Sequence, residues 1–289
     1  MGPLNSAANG PTPLRRVEDK VALITGAARG QGRAHAVRLA EEGADIIAVD
    51  LAAETGDAPY SLYEAGALDE TVDLVAKTGR EAIALRADIR DLAALEAATV
   101  EGYRRFGRLD IVVANAGIGG GGMLLEMDPQ TWQRMLDINL TGLFNTFRAT
   151  LPTMIEAGNG GSVVVINSIG GLKAIAGCGH YVAAKHGGVG LARTLAAEVA
   201  VHNIRVNLVC PTGVDSPMML NDWTRKLFRP DLENPTDDDV AEVQRQHHLL
   251  DTPWVSVRDV ANAVLFLASD EARFITGAAL PVDAGSLVK

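Results

Sequence analysis

The chain has little cysteine, no concentration of positive charge and no long apolar run. Its two cysteines, Cys178 and Cys210, form neither a metal-ligand spacing nor a disulfide framework, so we expect no metal site and a reducing compartment. Lysine and arginine total 26 against 36 aspartate and glutamate residues, for a net charge of −10, and they are not clustered. The composition therefore argues against nucleic acid or an anionic membrane as a partner.

The hydropathy of the chain indicates a single soluble domain. No apolar run reaches the roughly 20 residues that span a bilayer, and the N-terminus lacks the basic and then apolar pattern of a secretory signal. We therefore expect a cytoplasmic protein. Residues 1–16, which begin with a stretch rich in Gly, Pro, Asn and Ser, are interpreted as a disordered leader or cloning remnant, and residues 17–289 as one domain.

Short β-branched runs alternate with Ala- and Leu-rich amphipathic stretches, a pattern typical of βα units that build a parallel sheet. Most of the runs are continuously apolar, as in strands covered on both faces. The sequence predicts an α/β, doubly wound Rossmann fold, a seven-stranded parallel sheet with helices on both faces. The predicted strands are residues 21–25, 45–49, 81–86, 111–114, 162–167, 204–209 and 278–282, and the predicted helices are residues 32–42, 92–106, 129–157, 179–202 and 257–269.

Two segments interrupt this alternation. Residues 51–68, rich in Ala, Gly, Pro, Asp and Tyr, follow the second predicted strand, where about two to six connecting residues are usual. They are interpreted as an insertion. Residues 212–256 form a long connection after the sixth strand, at the edge of the sheet where such folds bind ligands, and are interpreted as a substrate loop.

The first predicted strand runs into the string Thr-Gly-Ala-Ala-Arg-Gly-Gln-Gly at residues 25–32 and then into an Ala-rich helix. Gly26 permits a tight turn, Gly30 lets the backbone approach a pyrophosphate, and Gly32 lets the helix pack closely on the strand. Eighteen residues after Gly32, the second strand ends at Asp50, whose carboxylate can accept hydrogen bonds from an adenosine ribose. The pattern predicts a dinucleotide site at the helix N-terminus.

The charges near this site favour NAD over NADP. Asp50 would repel a 2′-phosphate, and the next residue, Leu51, offers no compensating cation. Arg29 is the opposing feature, because a guanidinium in the glycine turn can meet a 2′-phosphate, or can instead support the pyrophosphate or a neighbouring loop. Asp50 carries more weight, since repulsion in a confined site is hard to avoid.

The leading catalytic candidates are Tyr181 and Lys185, four residues apart, with Ser168 thirteen residues upstream of the tyrosine. On a helix this spacing puts the phenol and the ammonium on one face, where the cation stabilises a phenolate. A tyrosine titrates near about 10 in water, so a base that works near neutrality needs a shift of roughly three units. Alone, such a pair is more often a helix-surface contact, but the glycine turn, Asp50 and the upstream Ser168 favour an acid/base tyrosine.

Together with Asn115-Ala116-Gly117 and Asn139, these motifs appear in an order that resembles the classical short-chain dehydrogenase/reductase family, from Lys20 to the C-terminus. The resemblance implies that the catalytic tetrad is Asn139, Ser168, Tyr181 and Lys185. Cofactor contacts are expected along the carboxyl edge of the sheet. They are expected at Gly26, Arg29, Gly30, Gln31, Gly32, Asp50, Leu51, Asp88, Ile89, Asn115, Ala116, Gly117, Tyr181, Lys185, Pro211, Gly213 and Val214.

The resemblance also implies a role for each member of the tetrad. Tyr181 exchanges a proton with the substrate hydroxyl while hydride moves between the same carbon and the nicotinamide, and Ser168 holds the substrate oxygen. Lys185 lowers the pKa of the tyrosine and binds the nicotinamide ribose. Asn139 bends its helix locally and anchors a water that connects Lys185 to solvent.

The insertion, the string Gly30-Gln31-Gly32 and residues 211–218 resemble the mycofactocin-associated branch of this family, which includes carveol-dehydrogenase-like enzymes. The branch implies a tightly held NAD that an external redox carrier re-oxidises in place, and the family implies a homotetramer. One departure is Pro211-Thr212-Gly213, where the family often has Pro-Gly. It leaves open how this loop lies over the nicotinamide.

The substrate class is read from the loop at residues 212–256 and from residues 170–177. Their apolar side chains form either a lid over a hydrophobic secondary alcohol or ketone, terpenoid or alicyclic, or a surface packed on a neighbouring subunit. Two other functions stay open, an NADPH-dependent ketoreductase and a non-catalytic nucleotide-binding redox sensor. The apolar side chains of the loop are Met218, Met219, Leu220, Trp223, Leu227 and Phe228.

Overall fold

A computed structural model describes residues 14–289. Most of the expected leader, residues 1–13, lies outside the described residues. Within its last residues, Arg16 forms an ion pair with the buried carboxylate of Glu42 at 2.9 Å. This contact ties the chain to the C-terminal end of the first helix before the first strand begins.

The described residues form a seven-stranded parallel sheet, as the sequence predicts. The strand order is β3-β2-β1-β4-β5-β6-β7, so the chain starts in the interior of the sheet, builds outward to one edge and then returns to build the other half. The strands are β1 Val21–Thr25, β2 Asp45–Asp50, β3 Ala82–Arg86, β4 Ile111–Ala114, β5 Gly161–Ile166, β6 Ile204–Pro211 and β7 Ala279–Val282.

Helices cover both faces of this sheet, which explains the continuous apolar strands. Leu23 points into the core on one face and Ile24 into the core on the other, and both are fully buried. Each such side chain contributes about 1.5–3 kcal/mol by leaving water. On the face of Ile24 lie α1 Gly30–Glu41, α2 Ala67–Ala76 and α9 Val257–Ala268, and on the face of Leu23 lie α3 Leu92–Phe106, α4 Pro129–Leu136, α5 Gly142–Ala157 and α6 Gly179–Val199.

Several helices differ from the prediction. The predicted helix over residues 129–157 is interrupted by a π-helical turn, Asp137–Thr141, which separates α4 from α5 and contains Asn139. Three shorter helices were not predicted, namely α2, α7 Asp222–Phe228 and α8 Asp237–Arg245. The last two begin at side-chain caps, Asn221 for α7 and a Thr236 capping box for α8, and such local signals are hard to see in a polar segment without apolar periodicity.

No helix in the part of the chain from residue 14 onward is long and apolar enough to cross a membrane.

The reversal of strand order places β1 beside β4 and opens a crevice at their carboxyl ends. Helix α1 starts at this crevice. Its N-cap is Arg29, and no side chain among the described residues caps the helix. The first backbone N–H groups of α1 are therefore left to bind an anion, whereas α3 is capped by Asp91.

His35 on α1 is the most unusual buried group in the fold. It is fully buried, and neither ring nitrogen has a hydrogen-bond partner among residues 14–289. Burial lowers the pKa of His35 to about 3, well below the ordinary value for histidine. The unfolded chain therefore binds more protons than the folded chain as the pH falls below about 6.5, and acid destabilises the fold through this residue.

We predict that His35→Leu reduces the acid sensitivity of the fold. Between pH 7 and pH 5, protonation of unfolded His35 costs the wild type about 2 kcal/mol of stability, or about 3 °C in Tm for a chain of this length. Thermal unfolding at the two pH values measures this difference. The exposed His202, changed to Leu, is the control and should keep the wild-type drop; an unchanged drop in His35→Leu would contradict the prediction.

Candidate active site

The crevice at the ends of β1, β2, β3 and β4 is the first cleft, which encloses about 1020 Å³ of space partly open to solvent. It brings together most of the predicted cofactor residues from four separate loops. The predicted residues that line it are Gly26, Arg29, Gly30, Gln31, Gly32, Asp50, Leu51, Asp88, Ile89, Asn115, Ala116 and Gly117.

The glycine turn at the base of the first cleft has no room for side chains. A Cβ atom on Gly32 would lie 1.9 Å from the Gly26 carbonyl oxygen, and Gly26 itself has a φ of 68°. Asn115, at the end of β4, donates from Nδ2 to the carbonyl oxygens of Thr25 and Gly26 at 2.9 and 3.1 Å. The turn is thus fixed against β4, and the start of α1 faces the cleft.

Asp50 is held at the wall of the first cleft by two backbone groups. Its Oδ2 accepts a hydrogen bond from Ala28 N and its Oδ1 one from Ala52 N, both at 2.9 Å. A fixed carboxylate here suits the hydroxyls of an unmodified ribose and repels a 2′-phosphate. Arg29 donates instead to the backbone oxygen of Ser61 in the insertion, which matches its interpretation as a support for a neighbouring loop.

Asp88 lies in the first cleft, but its carboxylate already has a partner. Burial alone would raise the pKa of Asp88, and the hydrogen bonds from Arg90 outweigh burial and hold the pKa below its ordinary value. Arg90 also pairs with Asp57 of the insertion at 3.0 Å. Arg90 is not among the predicted site residues; its position two residues after the strand-end aspartate is the signal that marks it in the sequence.

The insertion contributes two further side chains to the first cleft that the sequence analysis did not single out. Asp57 pairs with Arg90 and, at 3.5 Å, with Arg134 of α4. The hydroxyl of Tyr60 accepts a hydrogen bond from Gly119 N at 2.8 Å. The insertion therefore crosses the cleft and is fastened on its far side, which the length and composition of residues 51–68 alone did not show.

The second cleft lies beside the first, between the ends of β5 and β6 and the loop at residues 212–256, and encloses about 1570 Å³ of space partly open to solvent. Ser168 and Tyr181 line it. Three predicted cofactor contacts line this cleft and not the first one, because β6 lies two strands away from β4 in the sheet: Pro211, Gly213 and Val214. Its apolar lining is Ile169, Ala174, Ile175, Ala176, Met218, Met219, Trp223, Leu227 and Phe228.

Polar side chains also line the second cleft, among them Lys173, Gln244, His247 and Ser286. Lys173 Nζ donates to the backbone oxygen and hydroxyl of Ser286 at 2.7 and 2.9 Å. Leu220, expected in the apolar lid, is not part of the lining.

Tyr181 is half-buried in the first turn of α6. Burial raises the pKa of Tyr181 to about 12, and the Ser168 hydroxyl opposes the rise through a hydrogen bond to the phenol. The direction is opposite to the one expected from the Tyr181–Lys185 spacing, because burial disfavours the phenolate more than the neighbouring groups favour it.

Lys185 lies one helical turn further along α6, with its Nζ 5.6 Å from the centre of the Tyr181 ring. The ammonium donates to the backbone oxygen of Ile166 at the end of β5, at 3.0 Å. Burial lowers the pKa of Lys185 to about 8. Phenol and ammonium are therefore close, as the four-residue spacing predicts, but burial favours the neutral form of each.

Asn139 lies in the π-helical turn and faces the end of β4. Its Nδ2 donates to the Ile118 oxygen at 2.9 Å, and its Oδ1 accepts from Ile118 N at 3.0 Å. A Cβ atom on Gly117 would lie 2.5 Å from Asn139 Oδ1 and 3.9 Å from Lys185 Nζ, so both side chains converge on Gly117. The expected local distortion of the helix at Asn139 is present as the π-helical turn.

The first cleft suits a dinucleotide on its own geometry. The three glycines leave the N-terminus of α1 open to a pyrophosphate, and Asp50 fixes an acceptor where a ribose would lie. The second cleft adjoins it and carries a hydroxyl pair from Ser168 and Tyr181. This arrangement can hold a nicotinamide and an alcohol carbon side by side.

We predict that Gly32→Ala unfolds the turn, because the added methyl group would overlap the Gly26 carbonyl. The loss of stability should be about 3 kcal/mol, the upper end of the usual cost of overpacking, and urea unfolding measures it. Gly190 in α6 is the control: apart from its chain neighbours and the adjacent backbone of α6, no described atom lies within 4 Å of a Cβ at this position, so Gly190→Ala should cost nothing. Equal stability of the two variants would contradict the predicted close approach.

Comparisons with known proteins agree with this geometry. Residues 20–226 match the family model for short chain dehydrogenases. The (−)-trans-carveol dehydrogenase of Rhodococcus erythropolis is 50% identical over 277 residues, which cover 96% of this chain and all of that protein (100%). The solved carveol dehydrogenase from Mycobacterium avium in complex with NAD has a TM-score of 0.93 at 52% identity, with 95% of this chain and 99% of that chain covered.

A second solved relative, the short chain dehydrogenase from Mycobacterium paratuberculosis bound to NAD, has a TM-score of 0.86 at 42% identity, with 94% of this chain and 98% of that chain covered. The predicted fold, enzyme class and cofactor are confirmed. The chain belongs to the short-chain dehydrogenase family and is an NAD-dependent oxidoreductase.

Proposed function

We propose that the protein interconverts a hydrophobic secondary alcohol, alicyclic or terpenoid, and its ketone with a tightly held NAD, and that Tyr181 is the acid/base. One observation carries the proposal: an apolar cleft bears the Ser168 and Tyr181 hydroxyls and opens beside the dinucleotide cleft. NAD, when bound, supplies the hydride acceptor or donor. An alcohol whose hydroxyl meets Tyr181 would lie with its carbon skeleton against the apolar lining.

The apolar lining favours a compact hydrocarbon skeleton over a polar or phosphorylated substrate. Helix α7 supplies Trp223, Leu227 and Phe228 to the cleft, and the loop before α6 supplies Ile175. Hydrophobic walls therefore face each other across the cleft. Ligand sites of this kind bury most of a small apolar molecule and fix its orientation with few polar groups. The two relatives that act on carveol, an alicyclic terpenoid alcohol, support the same class.

In the oxidative direction, Tyr181 takes the hydroxyl proton while the hydride leaves the same carbon, so the alcohol loses two electrons and becomes a ketone. Ser168 would hold the substrate oxygen beside the phenol. Lys185, near both Tyr181 and Gly117, would bind the nicotinamide ribose and stabilise the phenolate. Because the pKa of Tyr181 is raised to about 12 by burial, the neutral phenol is favoured, and oxidation should be faster at alkaline pH.

Asn139 would act through the backbone of the segment after β4. Its paired hydrogen bonds fix Ile118, and its Oδ1 lies where any side chain on residue 117 would intrude. In this proposal Asn139 keeps Gly117 open toward Lys185 and anchors a water that connects the lysine to solvent.

We predict that Tyr181→Phe lowers kcat by about 10²–10⁴-fold, the range typical of a lost general acid/base. The Kd for NAD should stay within about twofold, because the lost hydroxyl faces the second cleft. Steady-state kinetics with carveol and calorimetric titration with NAD measure the two effects. Substantial residual turnover in this variant would remove Tyr181 from the mechanism.

The insertion supports tight retention of NAD. Residues 51–68 are held at both sides of the first cleft. Within them, Asp57 pairs with Arg90 and the Tyr60 hydroxyl binds Gly119 N. From the glycine turn, Arg29 binds the backbone oxygen of Ser61. The side chain of Asp57 is only 13% exposed, so its ion pairs are more persistent than those on an open surface. A bound nucleotide would have to displace this segment before leaving.

We predict that Asp57→Asn accelerates NAD release about tenfold, the effect of losing about 1.4 kcal/mol from the closed insertion. Dilution of labelled NAD–protein complex into excess unlabelled NAD measures the rate. Glu54→Gln is the matched control, because Glu54 is exposed and its carboxylate bonds within the insertion, to Ser61 Oγ. Exchange within seconds in the wild type would contradict tight retention.

The two alternatives have less support from these contacts. An NADPH-dependent ketoreductase would need a cation for the 2′-phosphate, but Arg29 is engaged by Ser61 and Asp50 faces the cleft. A non-catalytic redox sensor has no need of the second cleft with its Ser168 and Tyr181 hydroxyls.

Assembly, location and recycling are proposed from the family resemblance. We propose a cytoplasmic homotetramer of the mycofactocin-associated branch whose bound NADH is re-oxidised by an external redox carrier. The 46% exposed Phe144 on α5 is consistent with a subunit contact on that helix.

A further inference from the structure

The two clefts meet at a small junction. Among residues 14–289, the side chains that line both clefts are Gln31, Ser216 and Met218. Met218 is the apolar member and belongs to the loop over the second cleft. It is 36% exposed, and its neighbour Met219 lines the second cleft alone. A movement of Met218 therefore changes both clefts, whereas a movement of Met219 changes one.

Met218 and the insertion residue Tyr60 both lie next to Gly119. A Cβ atom on Gly119 would lie 3.4 Å from Met218 Cγ, 3.5 Å from Met218 Sδ and 3.7 Å from the Tyr60 hydroxyl. Gly119 N also donates to that hydroxyl at 2.8 Å. Gly119, which has no side chain, thus lies beside Met218 of the substrate loop and bonds to Tyr60 of the segment that crosses the first cleft.

The backbone beneath this contact is held in place. Asn139 makes two hydrogen bonds to Ile118, the residue before Gly119, and Asn115 fastens the start of the same segment to the glycine turn. Gly119 is therefore held by the sheet, and a displacement of Met218 or Tyr60 has to be accommodated between these two side chains. Tyr60 is partly buried, and burial raises its pKa to about 12.

We propose that Met218 is a positioning residue that, through Gly119 and Tyr60, joins the substrate loop and the insertion into one closure over both clefts. A ligand that orders Met218 in the second cleft then slows release of NAD from the first. By reciprocity, bound NAD strengthens binding of that ligand by the same factor. The inference rests on the proposed function for the identity of the ligand, an alicyclic ketone or alcohol.

The test uses the NAD–protein complex and carvone, the ketone of carveol, because a ketone and oxidised NAD do not react with each other. Release of labelled NAD is measured with and without saturating carvone. In the wild type we expect carvone to slow release about tenfold, within the range of typical coupling between sites. Met218→Ala and Tyr60→Phe should each reduce that factor to within about twofold of unity, and the double variant should show no further loss.

Matched controls separate this junction from general loosening. Met219→Ala alters the second cleft and is expected to raise KM for carveol while keeping the tenfold effect of carvone. Tyr63→Phe removes a hydroxyl from the same insertion at a side chain that is 40% exposed, and should also keep it. The proposal would be overturned if carvone still slowed NAD release tenfold in Met218→Ala, or if Met219→Ala lost the effect of carvone to the same extent as Met218→Ala.

A measurement without carvone tests the junction independently of the substrate class. Met218→Ala alone should release NAD several-fold faster than Met219→Ala, although both residues belong to the loop over the second cleft. Equal release rates would overturn the proposal. Failure of the acid/base assignment would appear as retained turnover in Tyr181→Phe and would leave these rates unchanged, so the two failures are distinguishable.

Discussion

The close packing of the β1–α1 turn against the end of β4 is the constraint on which both clefts depend. Gly32 lies so near the Gly26 carbonyl that no side chain fits, and Asn115 bonds to the same turn from β4. This contact brings the uncapped N-terminus of α1 to the reversal of strand order, where a parallel sheet opens a crevice. Asp50 is then fixed by the backbone of the turn at Ala28. The affinity for an anion and the preference for an unphosphorylated ribose thus follow from one packing contact.

The backbone segment from Asn115 to Gly119 connects this closely packed turn to Asn139, a proposed catalytic residue, and to the insertion. It contacts the glycine turn at its start, Asn139 at Ile118, and Tyr60 at Gly119. The π-helical turn matters here because it interrupts a helix that would otherwise be continuous and directs the Asn139 amide at backbone groups outside its own helix. The glycine turn, Asn139 of the proposed tetrad and Tyr60 of the insertion therefore all bind to one backbone segment.

The sequence predicted the parts of the fold that local patterns encode. Continuous apolar runs marked most of the seven strands because strands buried on both faces have no polar side, and the glycine spacing located the first cleft because only glycine fits there. Contacts between distant residues were beyond such patterns. The bond from Gly119 to Tyr60 joins residues 59 apart, and the pairing of Asp57 with Arg90 depends on how the insertion folds back. Pro211, expected at the cofactor from the family resemblance, ends β6, two strands away from β4, and lines the second cleft.

Tyr181 shows why spacing and burial have to be weighed together. The four-residue spacing correctly placed Lys185 near the phenol, but the same α6 position buries both groups, and burial opposes each charge. The pKa of Tyr181 rises to about 12 and that of Lys185 falls to about 8, so at neutral pH the protein holds an ammonium beside a neutral phenol. That pair is suited to donate a proton to a developing alkoxide. In the proposed mechanism oxidation needs the reverse, and the positive charge of a bound oxidised nicotinamide would favour it. On that proposal the state of the cofactor, more than the lysine alone, would decide whether Tyr181 acts as acid or base.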